Sequence, residues 1–217
     1  MSGSLVLHGY WRSTAAWRVR LALAWKGLDF ANVPVNLLAD AQLAPAHVAR
    51  QPQGLVPSLS VGSDVLIQSL AIIEYLEERW PEPPLLPADS LQRAHVRAAA
   101  LVVAADIHPL ANLRVQRHLA ACGLDPAAVQ AWARHWVTSG LNALAVLAER
   151  HGGAFLVGDS LSLADLCLVP QLYNARRVGL DAGHWPRLAA IEARVATMPF
   201  ALVARPESQP DAVTSAA

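Results

Sequence analysis

The segment SLVLHGYWRSTAAWRVRLALAWKG, residues 4–27, decides how the chain begins to fold. Residues 4–8 form a short apolar run of β type, and the polar, aromatic stretch Tyr10-Trp11-Arg12-Ser13-Thr14 reads as a loop. From Ala15 to Trp25 the composition turns to Ala, Leu and Val at helical spacing, and Lys26-Gly27 supplies a C-terminal stop. A strand, a polar loop and a helix in immediate succession open an α/β layer.

Working outward, residues 30–35 predict a second strand, and Pro34 places it at a sheet edge. Residues 39–50 predict a short helix interrupted by Pro45. Residues 56–61 and 65–67 predict two strands joined by a Gly62-Ser63-Asp64 hairpin. Ser69 is placed to cap a third helix with Ile72, Ile73, Tyr75 and Leu76 on or near its buried face. The order β-α-β-α-β-β-α with a mixed sheet is that of a thioredoxin-like domain. Trp80-Pro81-Glu82-Pro83-Pro84 is a stiff, non-helical linker. Beyond it, residues 91–119, 126–150, 162–178 and 186–198 all read as helix. Asp125 precedes Pro126 as an N-cap, Ser162 and Asp165 form a capping box, and the tail from Pro206 reads as loose. The expected organisation is an α/β thioredoxin-like domain over residues 1–82 and an all-α domain over residues 88–217.

Composition narrows the function. Of 217 residues, 54% are hydrophobic and 16% charged, with 17 Lys+Arg balanced by 17 Asp+Glu, which argues against disorder and against nucleic-acid or anionic-membrane binding. No apolar run approaches the ~20 residues that span a bilayer. Arg12, Arg18 and Arg20 occupy the place where a signal peptide needs its apolar core. The two cysteines cannot make a disulfide framework, so a reducing cytoplasm is expected. No His/Cys/Asp/Glu spacing matches a metal site.

Several local features could bind an anion. Ser13 and Thr14 stand at a helix N-terminus, where outward N–H groups and hydroxyls can stabilise a thiolate; they can equally serve only as caps. Arg12 lies in the same loop, whereas Arg18 and Arg20 read as solvated or paired helix residues. Val56-Pro57 opens a strand, and a cis bond would present the Val56 backbone to a ligand as an added strand does, although trans is the commoner state. Gln68 and Ser69 at the next helix start suit a carboxylate. His108 and Asn112 are four apart on one helix face, with Pro109 between them as a source of a kink.

Together these motifs carry a resemblance. Trp11-Arg12-Ser13-Thr14-Ala15-Ala16-Trp17-Arg18-Val19-Arg20, Gln68-Ser69-Leu70-Ala71-Ile72-Ile73-Glu74-Tyr75-Leu76, Leu85-Leu86-Pro87, Asp106-Ile107-His108-Pro109-Leu110, Leu163-Ala164-Asp165 and Val169-Pro170-Gln171 resemble the zeta-class glutathione transferases over nearly the whole chain. That family includes the maleylacetoacetate and maleylpyruvate isomerases. The resemblance implies the glutathione transferase architecture, a cytoplasmic homodimer, glutathione as cofactor and a small anionic substrate. It implies that Ser13, with Thr14 beside it, stabilises the glutathione thiolate. It further implies that Val56, preceding a cis Pro57, pairs with the cysteinyl backbone of glutathione, and that Gln68 and Ser69 hold its γ-glutamyl end. Gln42 falls to the glycine end, His108 and Asn112 to the cleft, and Arg12, Arg114 and Arg177 to the substrate; Arg176 reads as solvated. One position departs from the pattern: Ala15 stands where the family has cysteine, which argues against reactions in which that thiol forms a mixed disulfide with glutathione, such as reductive dehalogenation.

The implied reaction is the conversion of maleylacetoacetate to fumarylacetoacetate. A thiolate added to a conjugated cis double bond makes that bond single, rotation follows, and expulsion of the thiolate leaves the trans product. Alternatives are maleylpyruvate isomerisation, general glutathione conjugation, and glutathione binding without catalysis. The three arginines favour an anionic substrate, because guanidinium is always charged and can grip a carboxylate with two bonds.

Overall fold

The computed structural model describes residues 4–213 and divides into two compact units, residues 4–84 with 197–213, and residues 85–196. In the first, strands β1 (Leu5–Gly9), β2 (Phe30–Pro34), β3 (Ser58–Val61) and β4 (Asp64–Ile67) form one sheet in the order β2-β1-β3-β4. β1 pairs parallel with β2 and antiparallel with β3, and β3 pairs antiparallel with β4. β2 is an edge strand, where the missing N–H of Pro34 is tolerated. Helices α1 (Thr14–Trp25), α2 (Pro45–Val48) and α3 (Ser69–Arg79) complete the α/β layer. The expected helix over 39–50 is instead two 3-10 turns, Leu37–Ala39 and Ala41–Leu43, followed by the one-turn α2 that Pro45 starts. Leu7, Val19, Leu21, Leu23, Leu59, Ile72 and Leu76 close the core between sheet and helices.

The second unit is helical: α4 (Ser90–Leu101), α5 (Leu113–Ala121), α6 (Pro126–His151), α7 (Leu163–Arg177) and α8 (Pro186–Ala196). α7 is its axis, packed on α4 and α8 and buried through most of its length. Asp125 Oδ1 accepts the Ala128 N–H at 2.8 Å, and the Ser162–Asp165 capping box is formed, as the sequence implies. The single helix expected over 91–119 does not form. α4 loosens into a π-helix, Val102–Ile107, and the chain turns before α5. Gly140 on α6 fits against that bulge, since a Cβ there would lie 2.1 Å from Ile107 Cγ1.

The units divide after Pro84. Leu85 and Leu86 are buried, and the Leu85 carbonyl accepts the Leu163 N–H at 2.9 Å. The final helix, α9 (Pro199–Ala204), packs on α1, so the segment from 197, expected with the helical region, returns to the first unit.

Candidate active site

Strand register gathers the expected glutathione residues of the first unit at one end of its sheet. β1 leaves the sheet at Gly9 and the chain reaches Ser13 four residues on. Ser58 pairs with both His8 and Ile67, so Val56-Pro57 enters beside the end of β1 and Gln68-Ser69 leaves beside Pro57. α1 crosses close above this end: a Cβ on Gly9 would sit 3.1 Å from Ala16 Cβ.

Ser13 is the N-cap of α1. Its Oγ accepts the Ala16 N–H at 3.2 Å, which leaves the hydroxyl proton to donate to an anion. Capping and thiolate stabilisation are therefore compatible in one side chain. Thr14 is buried as the first residue of α1. The Val56-Pro57 bond is cis, and among the described residues the Val56 backbone takes no hydrogen-bond partner. Gln68, not Ser69, is the N-cap of α3, and it holds φ at +69°, a region that costs a non-glycine residue on the order of 1–3 kcal/mol. Its Nε2 donates to Gln53 Oε1 at 2.7 Å. Ser69, expected as the cap, is instead the first helical residue, and its Oγ accepts from Arg18 Nη1 at 3.3 Å. Gln42 sits in the second 3-10 turn with its backbone near Gly54, its Nε2 donating to Asp40 Oδ1 at 3.1 Å. Its Oε1 is buried without a partner among the described residues.

These features fit a bound peptide. The Val56 backbone, two adjoining helix N-termini and the orphaned Gln42 oxygen leave polar groups open to a peptide ligand. Sequence reasoning missed two participants. Gln53 braces Gln68, and its only signal is the polar run Gln51-Pro52-Gln53-Gly54 ahead of the cis bond. Arg18, read as a solvated or paired helix residue, is 1% exposed and paired with Ser69.

In the second unit, Asn112 caps α5 by accepting the Arg114 N–H at 3.0 Å, and its Nδ2 lies 3.4 Å from His108 Nε2. The two meet as their spacing implies, though across the turn after Pro109 and not along one helix. Arg177 lines a cavity of about 480 Å³ with Gln116, Arg117, Gln130 and Asn174. Arg114, exposed in the first turn of α5, does not line it. Arg117 is the cation that the cavity places with Arg177, and nothing in its spacing signals this. Arg176, expected to be solvated, makes a two-pronged ion pair with Glu192; that hydrogen bonding is the main cause holding its pKa above the usual guanidinium range. Arg12 is half-buried over the Trp11 ring at 5.1 Å.

Residues 7–84 match the glutathione S-transferase N-terminal domain and residues 130–194 the glutathione S-transferase C-terminal domain. The chain belongs to the glutathione S-transferase family, and within it to the zeta-class branch. It is 48% identical to maleylacetoacetate isomerase of Pseudomonas aeruginosa over 208 residues, covering 94% of this chain and 97% of that one. A holo structure of maleylpyruvate isomerase, a bacterial zeta-class enzyme, superposes with a TM-score of 0.93 at 41% identity, covering 96% of this chain and all of that one. Maleylacetoacetate isomerase from Anaeromyxobacter dehalogenans 2CP-1, with dicarboxyethyl glutathione and citrate bound in its active site, superposes at 0.90 with 44% identity, covering 99% and 100%. Among the described residues, no helix is long and apolar enough to cross a membrane, and no group of three or more metal-ligating side chains is placed to hold an ion.

Proposed function

We propose that this chain is a glutathione-dependent cis–trans isomerase acting on maleylacetoacetate, as a cytoplasmic homodimer. The observation that carries the reading is the convergence of Ser13, the free Val56 backbone and Gln68-Ser69 at one end of the sheet. Bound glutathione supplies a thiolate able to add reversibly to a conjugated double bond. The chain's part is to keep that sulfur ionised and to receive charge from the substrate. Ser13 donates its hydroxyl proton toward the sulfur, and the α1 N–H groups add a partial positive charge. Val56 pairs with the cysteinyl backbone, Gln68 and Ser69 hold the γ-glutamyl end, and Gln42 turns to the glycine end. The family resemblance assigns His108 and Asn112 to glutathione binding as well.

Arg12, Arg114 and Arg177 hold the substrate carboxylates and stabilise the negative charge that develops on its carbonyl oxygen. The dicarboxyethyl glutathione in the Anaeromyxobacter relative supports this reading, because its dicarboxyethyl group carries two carboxyl groups. With Ala15 buried where the family has cysteine, no reaction through a protein–glutathione disulfide at that position is proposed. A second reading, maleylpyruvate isomerisation, is supported by the 41% identity to that enzyme over 96% of this chain. Glutathione-dependent turnover of the two maleyl substrates, followed side by side, decides between them. Failure on both, with conjugation of an aryl halide intact, would replace isomerase by conjugating transferase.

A further inference from the structure

The first unit ends in a segment that the glutathione cradle does not account for. After α9 comes the 3-10 turn Pro206–Ser208, and Gln209 Nε2 donates to the carbonyls of Val203 at 3.0 Å and Arg205 at 2.9 Å. Expected as a loose tail, the described part of this segment is instead tied down. It carries Asp211 to the loop after β1, where Asp211 Oδ2 accepts the Trp11 N–H at 3.0 Å. The Trp11 carbonyl accepts from Arg20 Nη2 at 2.8 Å. Arg20, 1% exposed on α1, also donates through Nε to the Ala204 carbonyl at 3.0 Å and through Nη1 to the Tyr10 carbonyl at 3.5 Å. Burial lowers the Arg20 pKa to about 10, and the carboxylates of Asp211 and Glu207 work against that shift. The Tyr10 carbonyl also accepts the Ser13 N–H at 2.9 Å, and the Trp11 ring lies under the Arg12 guanidinium. Both backbone polar groups of Trp11 and its ring are therefore engaged, and the next two residues are Arg12 and Ser13.

We propose that Asp211 is a positioning residue for this loop: by anchoring the Trp11 N–H beside Arg20, it sets the direction of the Ser13 hydroxyl and the Arg12 guanidinium. The proposal rests on the role given to Ser13 above. Its physical basis is that a donor stabilises a thiolate only when aimed at it, and a misplacement of about 1 Å costs roughly 10²-fold in rate.

The test compares Asp211→Ala and Asp211→Asn with the wild type, by isomerisation kinetics and by ultraviolet titration of the thiol of bound glutathione. Asp211→Ala is expected to raise the thiol pKa and lower kcat about tenfold, a part of that misplacement cost. KM for glutathione should change little, because Val56, Gln68 and Ser69 are untouched. Asp211→Asn keeps an acceptor oxygen for the Trp11 N–H and should restore both values. Wild-type kcat and thiol pKa in the alanine variant would overturn the proposal, as would an asparagine variant that restores neither. If Asp211→Ala does not fold, a chain ended at Pro210 removes the carboxylate and is read in the same way. A wild type with a depressed thiol pKa but no isomerase activity overturns the isomerase reading alone, and the titration then decides on Asp211. A wild type whose bound thiol titrates like free glutathione overturns both.

Discussion

Arg18 Nη1 donates to Ser69 Oγ across 3.3 Å, joining the first α-helix to the opening residue of the third. Both side chains are buried, at 1% and 7% exposure. These two helices are thus linked by a guanidinium that no solvent competes for.

Replacing Ser69 should therefore act twice. Ser69→Ala removes the hydroxyl assigned to the γ-glutamyl end and takes an acceptor from a buried charged donor, a loss of about 1–3 kcal/mol of stability. Gln68→Ala, at an exposed side chain, should raise KM for glutathione with a stability change within about 0.5 kcal/mol. Thermal unfolding measured beside KM separates the two; equal stability losses would mean that Arg18 is satisfied without Ser69.

Ser13→Ala should lower turnover roughly 10–10³-fold, the scale of losing one anion-stabilising donor. The same change removes the cap on the Ala16 N–H, which costs about 1 kcal/mol and should lower Tm. Glutathione should still bind through Val56, Gln68 and Ser69, with its thiol pKa raised. An unchanged thiol pKa would transfer the role to Thr14 or to the α1 N–H groups.

Arg177→Met keeps most of the apolar stem and removes the charge. A charge-assisted bond to a carboxylate is worth about 1.5–3 kcal/mol, so kcat/KM for maleylacetoacetate should fall about 10- to 150-fold while that for a neutral aryl halide holds. Arg12→Met and Arg114→Met run as parallel tests. Since Arg117 shares the cavity with Arg177, Arg117→Met should show the same charge selectivity if the cavity receives substrate. Equal losses on charged and neutral substrates would make Arg177 structural.

Asp165 makes an unusual pH prediction. Its carboxylate accepts from Leu156 N, Ser162 N and Ser162 Oγ, yet burial outweighs these bonds and pushes its pKa up from 3.8 to about 6. A group that holds its proton more tightly when folded stabilises the fold at low pH, and that contribution is lost as pH rises through about 4 to 6, on the order of 3 kcal/mol in all. Asparagine cannot titrate. The destabilisation caused by Asp165→Asn should thus be larger at pH 4 than at pH 7.5, measured by urea unfolding at each. A penalty that grows with pH would show the three hydrogen bonds outweighing burial.

The positions that need a local device were legible in the sequence alone. Ser13, Asp125 and the Ser162–Asp165 pair cap helices because short polar side chains can reach the free N–H groups of the first turn, and neighbouring residues suffice for that. The alternating and helical periods set the α/β and all-α halves. What depended on partners far along the chain was not legible. Arg18 and Arg20 read as solvated or paired helix residues because burial of a guanidinium is stabilised only by acceptors that the fold supplies, here Ser69 and the carbonyls of Trp11 and Ala204. The break at Val102–Ile107, the pairing of Arg177 with Arg117 around one cavity, and the return of the tail to Trp11 share that origin. Local sequence sets which backbone conformations are cheap, whereas only the packed tertiary structure decides which distant groups stand close enough to satisfy a buried charge.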